Sequence, residues 1–170
     1  DASALAVVDL ADAGVGIEAT RALGIDGLCT VTLQGAGAQL LPLQGVVAAD
    51  VVAALRLLLC ARAWGAADRA FELVVDYVQQ RRQFGQPVGR FQAVQHKLAD
   101  NLIALTGVRR LLDHAAAQFD AGHDSWRTFS AAVWAFAGDA LRRVSLETHH
   151  AFGAVGYAEA HEAPRHFRRV

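Results

Sequence analysis

Between residues 77 and 96 the chain reads Tyr77-Val78-Gln79-Gln80-Arg81-Arg82-Gln83-Phe84-Gly85-Gln86-Pro87-Val88-Gly89-Arg90-Phe91-Gln92-Ala93-Val94-Gln95-His96. Arginines, glutamines and aromatic residues gather there, where a helix should end at a glycine-rich turn. Arg81 could grip a phosphate through a forked pair of charge-assisted bonds. Gln83 and Gln92 carry groups that bond amide edges, and Phe84 offers a ring for stacking. The same residues also describe an ordinary helix C-terminus, with cations on the negative end of the dipole and a capping glycine. Spacing alone leaves both readings open.

Other combinations point less clearly to chemistry. His149 and His150 are adjacent, and helical neighbours point about 100° apart, so they do not converge on one metal. His161 and His166 have no cysteine or carboxylate cluster beside them, so surface or loop positions are expected and no metal site. Gly14-Val15-Gly16 lacks the third glycine of a dinucleotide fingerprint. Gly153-Ala154-Val155-Gly156 follows a helix rather than a strand, outside that fingerprint's context, although glycine there lets backbone approach a ligand. No serine sits in a nucleophile elbow. Cys29 and Cys60 read as strand and helix core positions.

These residues need elements to hold them. Before residue 45, short β-like runs alternate with glycine: Leu5 to Val8, Gly14 to Ile17, and Leu28 to Leu33. The last puts Leu28, Thr30 and Thr32 on one face and Cys29, Val31 and Leu33 on the other, the pattern of a half-buried strand. Three or four strands would make an incomplete sheet. After residue 45 the period changes. Val52, Leu55, Leu59, Ala66, Leu73 and Tyr77 mark one helical face. Leu98, Leu102, Leu105, Val108, Leu112, Ala115 and Phe119 mark a second. Trp126, Phe129, Val133, Phe136, Ala140 and Val144 mark a third, capped by Asp124 or Ser125. A fourth helix is expected from about Ala158 to the end. With breaks only at 85–89 and 121–124, the helices must pack antiparallel. The expected fold is mainly α, an up-down antiparallel helical bundle over residues 46–170, preceded by a partial small β domain over 1–45.

Composition narrows the classes. The 170 residues are 54% hydrophobic and 19% charged, with 16 basic and 17 acidic residues giving a net charge of −1. That balance offers no polyanion-binding field, so no nucleic-acid partner is expected. The longest apolar run, over 46–61, is broken by Asp50 and Arg56 and is short for a membrane span. Two cysteines make no disulfide framework, so a cytoplasmic location is expected. The chain holds no methionine and begins at Asp1, the mark of a fragment, a processed product or part of a longer chain. Alanine-rich helices carrying Trp64, Trp126 and Trp134 should bury more than one face and so assemble.

The polar segment resembles the C-terminal bundle of the acyl-CoA dehydrogenase family. Those flavoproteins carry Arg-x-x-Phe-Gly-x-Pro and then Phe-Gln-x-x-Gln, here Arg81-Arg82-Gln83-Phe84-Gly85-Gln86-Pro87 and Phe91-Gln92-Ala93-Val94-Gln95. Lys97-Leu98-Ala99-Asp100 and Ala135-Phe136-Ala137-Gly138-Asp139 also match, and Gly153-Ala154-Val155-Gly156-Tyr157 resembles the family's Gly-Gly-x-Gly-Tyr/Phe turn. Residues 1–45 resemble the latter half of its middle β domain.

The resemblance implies an FAD-dependent α,β-dehydrogenation of an acyl-CoA thioester to a 2-enoyl-CoA, with an electron-transfer flavoprotein as acceptor. It also implies a homo- or hetero-oligomer, typically a tetramer, in which Arg81, Gln83 and Phe84 reach across an interface to the neighbour's FAD. Gln92, His150, Gly153 and Ala154 match positions that hold the ADP half of that cofactor. The family usually has glutamine at position 150 and glycine at 154, and an Arg-Asp pair where Arg168-Arg169 stand. Its catalytic glutamate matches either a position beyond Val170 or Leu55, just before Arg56, so the catalytic residue is not identified and a chain lacking that base is expected. Two roles follow: an incomplete or half-site dehydrogenase subunit, or a non-catalytic assembly subunit that completes a partner's FAD site.

Overall fold

The computed structural model describes residues 4–20, 27–42, 48–158 and 160–170. The chain divides into two compact units, Asp1–Val52 and Ala53–Val170. The composition boundary near residue 45 lies outside the described residues.

In the first unit, β1 (Ala4–Val8) pairs antiparallel with β4 (Ala38–Pro42), and β2 (Val15–Ala19) with β3 (Cys29–Leu33). Leu5 lies opposite Leu41, and Ile17 opposite Val31. The expectation of half-buried strands does not hold. Every residue of β3 is exposed, Cys29 included, because each described sheet has only two strands and offers neither face a cover. The alternation along β3 is real, but the packing it anticipates is absent from the unit taken by itself.

The second unit is the helical bundle. Helix α1 begins in the first unit and runs Ala48–Gln80. A small hairpin, β5 (Arg82–Gln83) with β6 (Gln86–Pro87), and one 3₁₀ turn over Val88–Arg90 lead to α2 (Gln92–Asp120). After a five-residue connection with Gly122 at φ 70°, α3 runs Trp126–Phe152. The fourth helix is much shorter than expected. A 3₁₀ turn occupies Gly153–Tyr157, and α4 spans only Ala163–Phe167, started by Pro164 in its first turn. Ser125 precedes α3 without capping it, since its hydroxyl bonds to Gln118 Oε1 at 2.7 Å instead.

The main core joins the three long helices through Cys60 and Ala67 of α1, Leu105, Val108 and Ala115 of α2, and Val133, Ala137 and Val144 of α3. Small side chains let the helices close up. At Gly107 an added Cβ would meet the Phe136 ring at 3.3 Å. Two side-chain bonds fix the helices to one another: Ser130 Oγ donates to Ala53 O at 2.7 Å, and Trp64 Nε1 to Leu105 O at 2.9 Å. The buried stripe of α1 differs from the expected one. Ala53, Cys60, Ala66, Ala67, Ala70, Val74 and Val78 face inward, while Val52, Leu55 and Leu59 are about half exposed. Residues 51–59 are apolar nearly all the way round, so period could not choose between faces. Phe136, Phe119 and Leu102 likewise stand outside the core, and Asn101 lies inside it.

A second core, Val74, Val78, Phe152 and Ala163, with Tyr77, Val88 and Val94 packed against it, locks the end of α1 to the end of α3. That second core positions the site.

Candidate functional site

Helix α1 stops at Gln80, and Arg81 still donates its amide to Tyr77 O at 2.8 Å. The chain then reverses through Phe84 and Gly85, with φ 51° and 80°. Two successive positive φ values make the turn that best matches strand twist in a two-residue hairpin. Glycine takes such a setting freely, but phenylalanine bears strain there. The hairpin closes where Val88 N donates to Arg81 O at 2.8 Å, and Gly89 then passes so near Val78 that an added Cβ would lie 3.1 Å from its carbonyl oxygen.

The end of α3 arrives from the other side. Gly153 ends the helix at φ 62°, its amide donating to His150 O. At Gly156 an added Cβ would sit 2.9 Å from Phe152 Cβ and 3.1 Å from His149 O, so only glycine fits. Phe152, 2% exposed, packs its ring 5.3 Å from Tyr77. This contact brings the two helix ends together.

Between them lies a cleft of about 290 Å³, lined by Arg81, His150, Gly153 and Ala154 with Tyr77, Val88 and Phe152 among its apolar walls. Four of the residues expected to hold a ligand therefore meet, although they come from opposite ends of the bundle sequence. The Arg81 guanidinium has no hydrogen-bond or ion-pair partner among the described residues. Arg82 is spent on the hairpin, donating to Gly85 O at 3.1 Å. Ala154 is among the residues that line the cleft. An unpaired guanidinium, an imidazole and a glycine turn in one apolar cleft suit a phosphate-bearing organic anion.

Gln83, Phe84 and Gln92 are not in that cleft. Gln83 bends its amide back to Arg82 O at 2.7 Å, and Gln92 is exposed at the start of α2. Phe84 is 91% exposed, touching only the edge of Phe91 at 6.1 Å between ring centres. Gln83 and Phe84 sit on the hairpin, outside the cleft, and Gln92 follows at the start of α2.

The adjacent histidines divide, so surface placement fails for one of them. His150 is exposed, while His149 is buried against Tyr157 and Phe167, 4.5 and 4.7 Å between ring centres. Burial, with His161 nearby, holds the His149 imidazole below its ordinary value. Only His150 is free to meet a ligand. Of the cleft's apolar walls, sequence reasoning named Tyr77 only as part of the α1 stripe and missed Val88, in the 3₁₀ turn, and Phe152, at the end of α3.

Among the described residues, no carboxylate stands where the resemblance places a catalytic base, and Glu159 lies outside the described residues. Leu55 is 51% exposed and carries no ionisable group. Arg56 lies 5.8 Å over the Trp134 ring. Glu72 pairs with Arg69, Glu162 with Arg69 and His166, and Glu147 with Lys97.

Comparison with known proteins gives the family. Residues 45–170 match the acyl-CoA dehydrogenase C-terminal domain. The chain belongs to the acyl-CoA dehydrogenase family. It is 33% identical over 114 residues to the acyl-CoA dehydrogenase IpdE2 of Mycobacterium tuberculosis, covering 67% of this chain and 34% of that protein. Against the short-chain specific acyl-CoA dehydrogenase of Megasphaera elsdenii, identity is 34% over 113 residues, 66% of this chain and 29% of the relative. The chain thus spans about a third of these relatives' length.

Solved structures agree on the fold. The ChsE4–ChsE5 complex from Mycobacterium tuberculosis superposes with a TM-score of 0.87 at 28% identity, over 98% of this chain and 46% of that one. The butyryl-CoA dehydrogenase of Megasphaera elsdenii gives 0.85 at 27%, over 98% and 45%. FAD is the cofactor of acyl-CoA dehydrogenases, and the Arg81 cleft offers the donors its diphosphate requires. Among the described residues, no helix is long and apolar enough to cross a membrane.

Proposed function

We propose that this chain is the nucleotide-holding helical part of an FAD-dependent acyl-CoA dehydrogenase assembly, with the ADP half of the cofactor in the cleft of Arg81, His150, Gly153 and Ala154. The observation that carries the proposal is the unpaired Arg81 guanidinium facing the glycine turn after α3. When bound, FAD would supply the hydride acceptor for converting an acyl-CoA to a 2-enoyl-CoA, with an electron-transfer flavoprotein as the downstream acceptor.

The chain's own residues do the holding. Arg81 neutralises diphosphate charge, His150 offers a ring nitrogen, and the turn at Gly153 presents backbone without a side chain in the way. Gln83 and Phe84, carried outward on the hairpin, reach a neighbouring subunit's cofactor, and Gln92 stands behind them at the start of α2. The assembly is a homo- or hetero-oligomer, a tetramer by analogy with the family. The proton abstracted from the substrate's α-carbon goes to a carboxylate outside the described residues. Leu55 at the alternative base position, and the ion-paired Glu72, Glu147 and Glu162, also favour a second reading, in which a partner subunit carries out the chemistry and this one completes its FAD site.

Arg81→Ala and Arg82→Ala separate a ligand role from a helix-end role. In the purified assembly, Arg81→Ala should weaken FAD binding about 10- to 100-fold, the worth of one charge-assisted contact, with little change in melting temperature. Arg82→Ala should retain FAD. Undiminished FAD affinity in Arg81→Ala would leave that arginine as a helix terminus only.

A further inference from the structure

A cavity of about 380 Å³ opens between the first half of α1, the middle of α3 and the residues after α4, and it shares no residue with the Arg81 cleft. Its walls are apolar, with Leu59 and Cys60 from α1 and Trp134 and Leu141 from α3. Burial pushes the Cys60 thiol above its ordinary value, so that wall stays neutral. Two charged side chains line the cavity, Arg62 and Arg169, and no acidic side chain does. Both arginines are exposed, and neither guanidinium has a hydrogen-bond, ion-pair or ring partner among the described residues. Arg69 and Arg109, on the same bundle, each hold a carboxylate.

The chemistry of this lining specifies what would satisfy it. A guanidinium matches a carboxylate through a forked pair of charge-assisted bonds. Two cations bordering one cavity repel each other, and an anion held by both relieves that. A bare inorganic anion would leave the apolar walls uncovered, whereas a hydrocarbon group gains by covering them. The volume lies within the range of small-ligand pockets. Trp134, 46% exposed with the Arg56 guanidinium 5.8 Å over its ring, gives the cavity a flat aromatic wall. The charge belongs to this chain in particular, since Arg169 stands where the family usually has an acid.

We propose that this cavity is a binding site for an apolar group that ends in a carboxylate, with the hydrocarbon against Leu59, Trp134 and Leu141 and the carboxylate on Arg62 and Arg169. Two sources carry that chemistry. One is a free hydrophobic carboxylate, and the other is the far end of an acyl group whose near end is a thioester. The site goes beyond the reading of the Arg81 cleft and does not depend on it.

Tryptophan fluorescence of the purified assembly tests this, because Trp134 lines the cavity. Titrations with octanoate and octanol compare a carboxylate with an uncharged group on the same chain. Titrations with the mono-CoA thioester of octanedioic acid and with octanoyl-CoA make the same comparison at the far end of an acyl group. In at least one pair the carboxylate should bind about 10-fold more tightly, with a saturable change in emission that Trp134→Phe abolishes. Arg62→Gln and Arg169→Gln should each remove most of that preference, leave the uncharged partner's affinity unaltered and, at exposed positions, hold the melting temperature. A preference in the first pair assigns a free carboxylate, and one confined to the second assigns the acyl end. Equal affinities within both pairs would overturn the proposal, as would a preference that survives both arginine variants. FAD content read from the same samples reports on the Arg81 cleft separately, so either reading can fall alone.

Discussion

Gly153 holds φ 62° and ψ −141°, a setting glycine adopts freely and other residues reach only under strain. No atom lies within 4 Å of a Cβ added there, so the penalty is torsional rather than steric. Gly153→Ala should therefore cost about 1–3 kcal/mol, a fall of roughly 2–10 °C in melting temperature for a chain of this size. Thermal unfolding checks this, and an unchanged melting temperature would mean the turn relaxes. His149 makes a prediction about pH. Its folded-state value is depressed below 6.5 by burial and by His161, so the unfolded chain takes up the proton more readily. Stability is then full above about pH 6.5 and drains as pH falls through that value toward the lower folded one. Glu162, held low by His166 and Arg69, loses its contribution only below the ordinary carboxylate range, outside this window. Melting temperatures at pH 7.5 and pH 5.5 should differ in the wild type, and differ less in His149→Phe. At this scale much of the site was legible. Arg81, His150, Gly153 and Ala154 are named by residue type and motif, and they do meet.

The three long helices were legible in their existence and ends, and less so in their faces. The spacing of α2 puts both Leu102 and Leu105 in the core, yet Leu105 is 2% exposed and Leu102 52%. The side-by-side comparison is direct: Leu105→Ala should cost about 2–5 kcal/mol, and Leu102→Ala about 0.5 kcal/mol or less. Chemical denaturation of each variant measures both. Equal losses would mean the exposed leucine face is covered in solution. Residues 51–59 of α1 hid their inward face for a related reason, since apolar residues on every side carry no phase. The hairpin between α1 and α2 was invisible as strand, because two-residue strands lack a period. Its Phe84-Gly85 turn holds two successive positive φ values, and the phenylalanine ring there is 91% exposed. The expected fourth helix, from about Ala158 to the end, shortened to Ala163–Phe167, because Pro164 suits the first turn of a helix but not the interior of one running through it.

For the molecule as a whole, the bundle is the better understood unit. Its antiparallel order follows from long periodic segments joined by short breaks, which is why the helical architecture could be read early. The strands of the first unit could be found by alternation, but the cover for their apolar faces is not supplied by two-stranded sheets. Exposed apolar residues also line the bundle, with Leu55, Leu58 and Leu59 on α1 and Trp134 and Phe136 on α3. Such exposed apolar faces fit a subunit that works inside an assembly. The central claim is that this bundle holds FAD as part of such an assembly. Native mass spectrometry of the protein purified from its own cells, with the denatured masses read from the same sample, tests it most directly. The account predicts an oligomer containing this chain, alone or with partner subunits, that carries FAD and releases it on denaturation. A flavin-free monomer would contradict it.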